Sequence, residues 1–154
     1  MKGAPPFQRL LEEQGPVVHR YLRAVAGQEA DDLFQETFLA ALRAYPRLAD
    51  ARNLRGWVLR IATRKAIDAG RRRSRQAIPV EEVPEVPAPP SPDGEPALWA
   101  AVRSLPPKQR AAVVHRYVYD LTYEEIAGLM GGTAEAARAN ASQGVRRLRE
   151  VWEG

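Results

Sequence analysis

Residues 121–149, LTYEEIAGLMGGTAEAARANASQGVRRLR, hold a short capped helix, a glycine turn and a longer helix. Thr122-Tyr123-Glu124-Glu125 fits a capping box: the Thr122 hydroxyl takes a backbone N–H and Glu125 reaches back to the cap. Ile126, Ala127 and Met130 then mark one apolar face, and Gly131-Gly132 supplies the turn. Thr133 suits the cap of the next helix, predicted from Ala134 to about Trp152. This order is a helix-turn-helix, which sets the start of its second helix in a DNA major groove. There Glu135, Arg138, Asn140 and Gln143 suit base edges, since arginine pairs with guanine and asparagine or glutamine with adenine. Arg146, Arg147 and Arg149 suit phosphates, which position without specifying. A plain helical hairpin is the alternative on these residues alone.

Upstream, Leu98, Trp99, Val102 and Leu105 begin this helical set, and Pro106-Pro107 starts a helix carrying Ala111, Val114, Tyr117 and Val118. Residues 77–96, AIPVEEVPEVPAPPSPDGEP, carry seven of the chain's 13 prolines, five acids and no base. Recurrent proline excludes a regular helix, so an extended tether is expected. At roughly 3 Å per residue it spans up to about 60 Å.

Ahead of the tether the charge inverts. Residues 52–76 carry nine bases and only Asp68 as an acid. Density of that kind predicts a polyanionic partner, with a solvated helix face as the bland alternative. Leu54, Trp57, Val58, Ile61 and Ala62 form the inward stripe of a third helix, with Arg60, Thr63, Arg64 and Asp68 outward. Gly70 is expected to weaken this helix before Arg71, Arg72 and Arg73. The loop bearing Arg52 and Asn53 can hold an unstacked base while Arg60, Arg64 and Lys65 grip backbone. Trp57 falls on the apolar stripe, which favours a core role over stacking.

Two further helices precede these. Phe7, Leu10, Leu11, Val18, Tyr21, Leu22 and Val25 recur at helical spacing, with a break expected near Gly15-Pro16. The second helix runs from about Gln28 to Ala44, with Leu33, Phe34, Thr37, Phe38, Ala41, Leu42 and Tyr45 as its stripe. Asp31 and Asp32 sit in its first turn, where the helix dipole favours acids. The predicted fold is therefore all-α: domain 1–76, acidic tether 77–96, and domain 97–154.

The 154 residues carry a net charge of +4 and contain no cysteine. Absence of thiols excludes disulfides and thiolate metal sites and fits a reducing cytoplasm. No uncharged run approaches the roughly 20 residues of a membrane span. Enzyme readings fare poorly: there is no phosphate-binding glycine loop and no nucleophile elbow. His19 and His115 each lack a carboxylate at ligand spacing, so neither metal nor cofactor is expected.

Three segments resemble the extracytoplasmic-function (ECF) group of RNA polymerase sigma factors. DDLFQETFLAALRAY (31–45) resembles the family's polymerase-binding helix, and GWVLRIATRKAIDAGRRR (56–73) its promoter −10 helix. LPPKQRAAVVHRYVYDLTYEEIAGLMGG (105–132) resembles the opening of its −35-binding domain. The resemblance implies that Asp32, Leu33, Gln35, Glu36 and Phe38 dock on the largest polymerase subunit. It further implies that Arg52, Asn53, Arg60, Thr63, Arg64, Lys65, Arg71 and Arg72 serve the −10 element. Glu135, Arg138, Asn140, Gln143, Arg146 and Arg147 would serve the −35 element. The implied partners are core polymerase, promoter DNA and an anti-sigma factor, with the acidic tether threading polymerase's basic channel. The family's Ala-Arg-Asn-Leu is replaced here by Ala62-Thr63-Arg64-Lys65. Its Gly-Thr-Val-Lys-Ser-Arg is replaced by Glu135-Ala136-Ala137-Arg138-Ala139-Asn140. Two alternatives remain at this stage: a stand-alone helix-turn-helix regulator, and a sigma-like decoy that occupies polymerase or an anti-sigma partner without reading DNA.

Overall fold

Three amphipathic helices wrap one apolar centre in the first half of the chain. The computed structural model describes residues 4–76 and 96–153. Helix α1 (Phe7–Ala26) packs on α2 (Ala30–Ala44) through a one-turn 3₁₀ link at Gly27–Glu29, and both pack on α3 (Leu54–Gln76). The core is Val18, Tyr21, Leu22 and Val25 from α1, Leu33, Phe38 and Ala41 from α2, and Val58 and Ala62 from α3. Phe34 and Phe38 lie 4.7 Å apart between ring centroids, and Phe7 meets Phe38 and Tyr45 edge-on. Such rings bury large areas and fix the angle between their helices.

The second half comprises α4 (Pro96–Ser104), α5 (Pro107–Val113), a π-helical stretch (Val114–Val118), α6 (Tyr123–Met130) and α7 (Ala134–Glu153). Its own buried cluster is small: Ala112, Ile126, Ala137 and Ala141. The Thr122 capping box forms in full, with Glu125 N–H donating to Thr122 Oγ1 at 3.1 Å and Thr122 N–H to Glu125 Oε1 at 3.1 Å. Gly131 closes α6 at φ 82°, a conformation that suits glycine, and Ala136 N–H donates to Thr133 Oγ1 at 3.0 Å to open α7. Among the described residues the secondary structure is helical, with no strand. The expected tether lies outside the described residues apart from Pro96, which already belongs to α4.

Four expectations are corrected. Helix α1 runs unbroken through Pro16 because one buried stripe, from Leu10 through Gly15 to Val18 and Tyr21, spans it. Helix α3 runs through Gly70, whose missing Cβ admits Pro107: a Cβ there would stand 2.7 Å from Pro107 Cγ. Leu42 is 49% exposed rather than inward. Tyr117 and Val118 are also exposed, because the wider π turn rotates them off the stripe begun by Ala111 and Val114.

The two halves share side chains. Val102 and Val114 belong to the first half's buried cluster, with Trp99, Tyr119 and Leu148 packed against it. Leu22→Ala, at a fully buried site, should cost about 2–5 kcal/mol in urea unfolding, whereas Leu42→Ala should stay within about 0.5 kcal/mol.

Candidate nucleic-acid interface

The loop before α3 is shaped by its own polar groups. Asn53 Oδ1 accepts from Gly56 N–H at 2.9 Å and so caps α3. Arg52 is exposed and ion-pairs with Asp50 at 2.7 Å; that guanidinium holds the Asp50 carboxyl below its usual range. Arg60 is exposed on α3, while Arg64 and Lys65 are half-buried. Arg60 borders an open groove of about 480 Å³ shared by Asn53, Trp57, Leu121, Glu125 and Leu129. Trp57 is half-buried, packed on the core along one edge and lining this groove along another.

Thr63 departs from the expectation of an outward residue. It is fully buried, and its Oγ1 lies 3.1 Å from His115 Nε2. The α5–α6 region of the second half covers this side of α3. Arg71 and Arg72 stand exposed at the far end of α3. The neighbouring Arg73 pairs with Glu29, so part of the basic block is neutralised within the chain.

On α2 the five residues implied for polymerase docking divide. Asp32, Gln35 and Glu36 are exposed, whereas Leu33 (4%) and Phe38 (7%) are buried in the core and cannot reach a partner without unfolding α2. Leu39, missed in the sequence, continues the exposed row one turn on at 52% exposure. The spacing Asp32, Gln35, Glu36, Leu39 is a single helical face. Exposed leucine beside acids and an amide was the available signal, masked by counting Leu42 inward.

On α7, Glu135, Arg138, Gln143, Arg146 and Arg147 are exposed. The Arg138 guanidinium carbon sits 5.3 Å from the Tyr123 ring centre, and Arg116 lies 4.9 Å from the same ring. Tyr123 thus steadies a side chain aimed from the helix start. Asn140 Nδ2 donates to Ala136 O at 3.0 Å, turned back on its own helix. Gln143 Oε1 accepts from Gln109 Nε2 at 3.2 Å, tied to α5. Glu135 and Arg138 stand exposed near the start of α7, neither side chain tied by a hydrogen bond to the helix or to α5 among the described residues.

Fold and surface together define a helical protein of two modules, a three-helix bundle with a basic third helix and a helix-turn-helix module. Residues 10–76 match the Sigma-70 region 2 family and residues 96–148 the Sigma-70 region 4 family. The chain is 34% identical to RNA polymerase sigma factor CarQ of Myxococcus xanthus, over 94% of this chain and 88% of CarQ. It is 33% identical to the ECF RNA polymerase sigma factor SigD of Mycobacterium tuberculosis, over 94% and 76% respectively. It is also 33% identical to SigE of Mycolicibacterium smegmatis, of which it spans 61%. In fold it is similar to the sigma factor RpoE, solved with the anti-sigma factor NepR from Bartonella quintana (TM-score 0.74, 21% identity, 96% of each chain). CnrH, solved with the cytosolic domain of CnrY, is similar too (TM-score 0.66, 21% identity, 96% of this chain, 87% of that one). The chain belongs to the ECF sigma factors of RNA polymerase.

His115 is the one histidine enclosed between the modules, its ring stacked on Tyr21 at 4.3 Å and 7°. Burial pushes its pKa from 6.5 down to about 3, and burial likewise raises the Tyr21 phenol. His115 is neutral when folded, yet takes a proton near pH 6.5 when unfolded. Below that pH the unfolded chain binds the extra proton, so stability falls as pH drops from about 6.5 toward about 3. The expected loss is up to about 1.4 kcal/mol per pH unit, read by urea unfolding. His115→Gln should flatten that slope between pH 7 and pH 5. An equally steep slope in the variant would contradict the assignment.

Proposed function

We propose that this chain is a promoter-specificity subunit without catalysis of its own: polymerase supplies the chemistry, and the chain supplies the address and captures the opened strand. The reading divides the chain at the boundaries drawn from its sequence, 1–76, 77–96 and 97–154. The exposed Asp32, Gln35, Glu36 and Leu39 face of α2 docks on core polymerase, with Leu33 and Phe38 holding that face in place from beneath. Arg60, Arg64 and Lys65 on α3, with Arg52 and Asn53 ahead of them, engage the −10 element, and Arg71 and Arg72 grip its backbone. On α7, Arg138 and Glu135 meet the −35 element; Arg146 and Arg147 contact phosphates, and Asn140 and Gln143 contribute once released from Ala136 and Gln109.

One observation carries this reading. A cationic helix face follows a capped loop on the same bundle that exposes an acid, amide and leucine row. A stand-alone DNA reader needs the first and has no use for the second. The anti-sigma factor NepR in complex with RpoE, and the cytosolic domain of CnrY in complex with CnrH, support a similar protein partner for this chain. That partner is an inhibitor recognised through the two modules. Among the described residues no helix is long and apolar enough to cross a membrane, and we place the chain's work in the cytoplasm, beside polymerase.

The test is run-off transcription from candidate promoters with core polymerase, with and without the chain. Transcripts should depend on the chain. Arg60→Ala should lower their yield about tenfold, as loss of one charged contact worth on the order of 1–2 kcal/mol would. Failure to bind core polymerase in a pull-down would overturn the proposal.

A further inference from the structure

We propose that Tyr123 is a positioning residue for promoter readout: its ring holds Arg138 ready for a guanine, and the −35 preference of this chain centres on that G·C pair. The inference deepens the reading of α7 as the helix that meets the −35 element, and it rests on that reading.

Tyr123 opens α6, where the helix-turn-helix begins. Its ring is half-buried and packs on the module's cluster of Ala112, Ile126, Ala137 and Ala141. Tyrosine has few rotatable bonds, so a ring seated this way is a rigid platform. Two guanidiniums lean on it. The guanidinium carbon of Arg116 lies 4.9 Å from the ring centre and that of Arg138 5.3 Å, both within cation–π range. Arg116 is half-buried and donates from Nη1 to Leu121 O at 3.0 Å. Arg138 is exposed, so of the two cations it is the one whose N–H groups meet solvent.

The position of Arg138 on α7 explains why a platform matters. Glu135 stands one turn earlier, at the i, i+3 spacing where an acid and an arginine on a helix pair. Among the described residues that ion pair is not formed, and Arg138 lies against Tyr123 instead. An arginine paired with a carboxylate spends its fork of N–H donors, whereas one held by an aromatic ring keeps them available. Guanine O6 and N7 accept such a fork at two points.

The neighbouring polar groups are engaged elsewhere. Asn140 Nδ2 donates to Ala136 O, and Gln143 Oε1 accepts from Gln109 Nε2. Base choice therefore falls first to Arg138, and through it to the ring that sets its direction.

The test uses the full chain with core polymerase and a pool of duplexes randomised across both promoter elements. DNA retained by the natural chain should be enriched for a guanine in the upstream element. Run-off transcription from the enriched promoter should fall about tenfold when another base replaces that guanine. In Y123L, which keeps an apolar side chain on the module's cluster, the preference should shrink about threefold to fivefold, as loss of one exposed cation–π contact would. In Y123F, which keeps the ring, it should persist, and R138A should abolish it. The readout is a ratio between templates, so a partly unfolded variant lowers both yields and leaves the ratio intact. An undiminished preference in Y123L would overturn the inference. So would its loss in Y123F, its survival in R138A, or an upstream element with no preferred guanine. Enrichment of the downstream element alone would overturn the inference and leave the promoter reading standing. A pool with no enrichment at all would overturn both.

Discussion

One helix has to answer three demands, and the rest of the molecule is arranged around that. α3 contributes Val58, Ala62 and Ile67 to burial, carries the chain's densest run of cations, and receives the second module. At 3.6 residues per turn a helix has room for about two separate faces, a core stripe and a polar one. The third demand is met on the boundary between them, at Thr63. Its hydroxyl is small enough to be buried and polar enough to accept His115 as a partner.

The second module explains why the two halves lean together. Its separate buried cluster is three alanines and Ile126, with Leu121, Tyr123 and Met130 packed against it, a modest apolar area for a helical unit of that length. Val102, Val114 and Trp99 find their burial against the first module instead. Packing on α1 and α3 thus stabilises the helix-turn-helix module and buries Thr63 on the side of α3 that it covers.

Much of this was legible in the residues. The seven described α-helices follow from 3.6 periodicity, the Thr122–Glu125 capping box and the glycine turn, each of which acts over a few residues. What misled was local punctuation whose meaning is tertiary. Pro16 looked like a break, yet Phe34 packs over Gly15 and keeps α1 whole. Gly70 looked like a weak point, yet its bare Cα makes room for Pro107. Leu33 and Phe38 carry the family pattern of α2, and periodicity places them inward, where they support the exposed face of that helix rather than form it. The pairing of Thr63 with His115 joins residues 52 positions apart, and no helical period reaches that far. Asn140 and Gln143 read as base-contacting groups from spacing alone, while their hydrogen bonds to Ala136 and Gln109 depend on coordinates.

The most direct test is the distance between modules, measured by pulsed electron spin resonance in the chain in solution. Spin labels on D68C and E124C would sit on exposed positions of α3 and α6, outside every proposed contact. The account predicts one short, narrow separation, as the contact between His115 and Thr63 requires. A broad distribution reaching long separations would contradict it, because His115 and Thr63 would then not hold the two modules together.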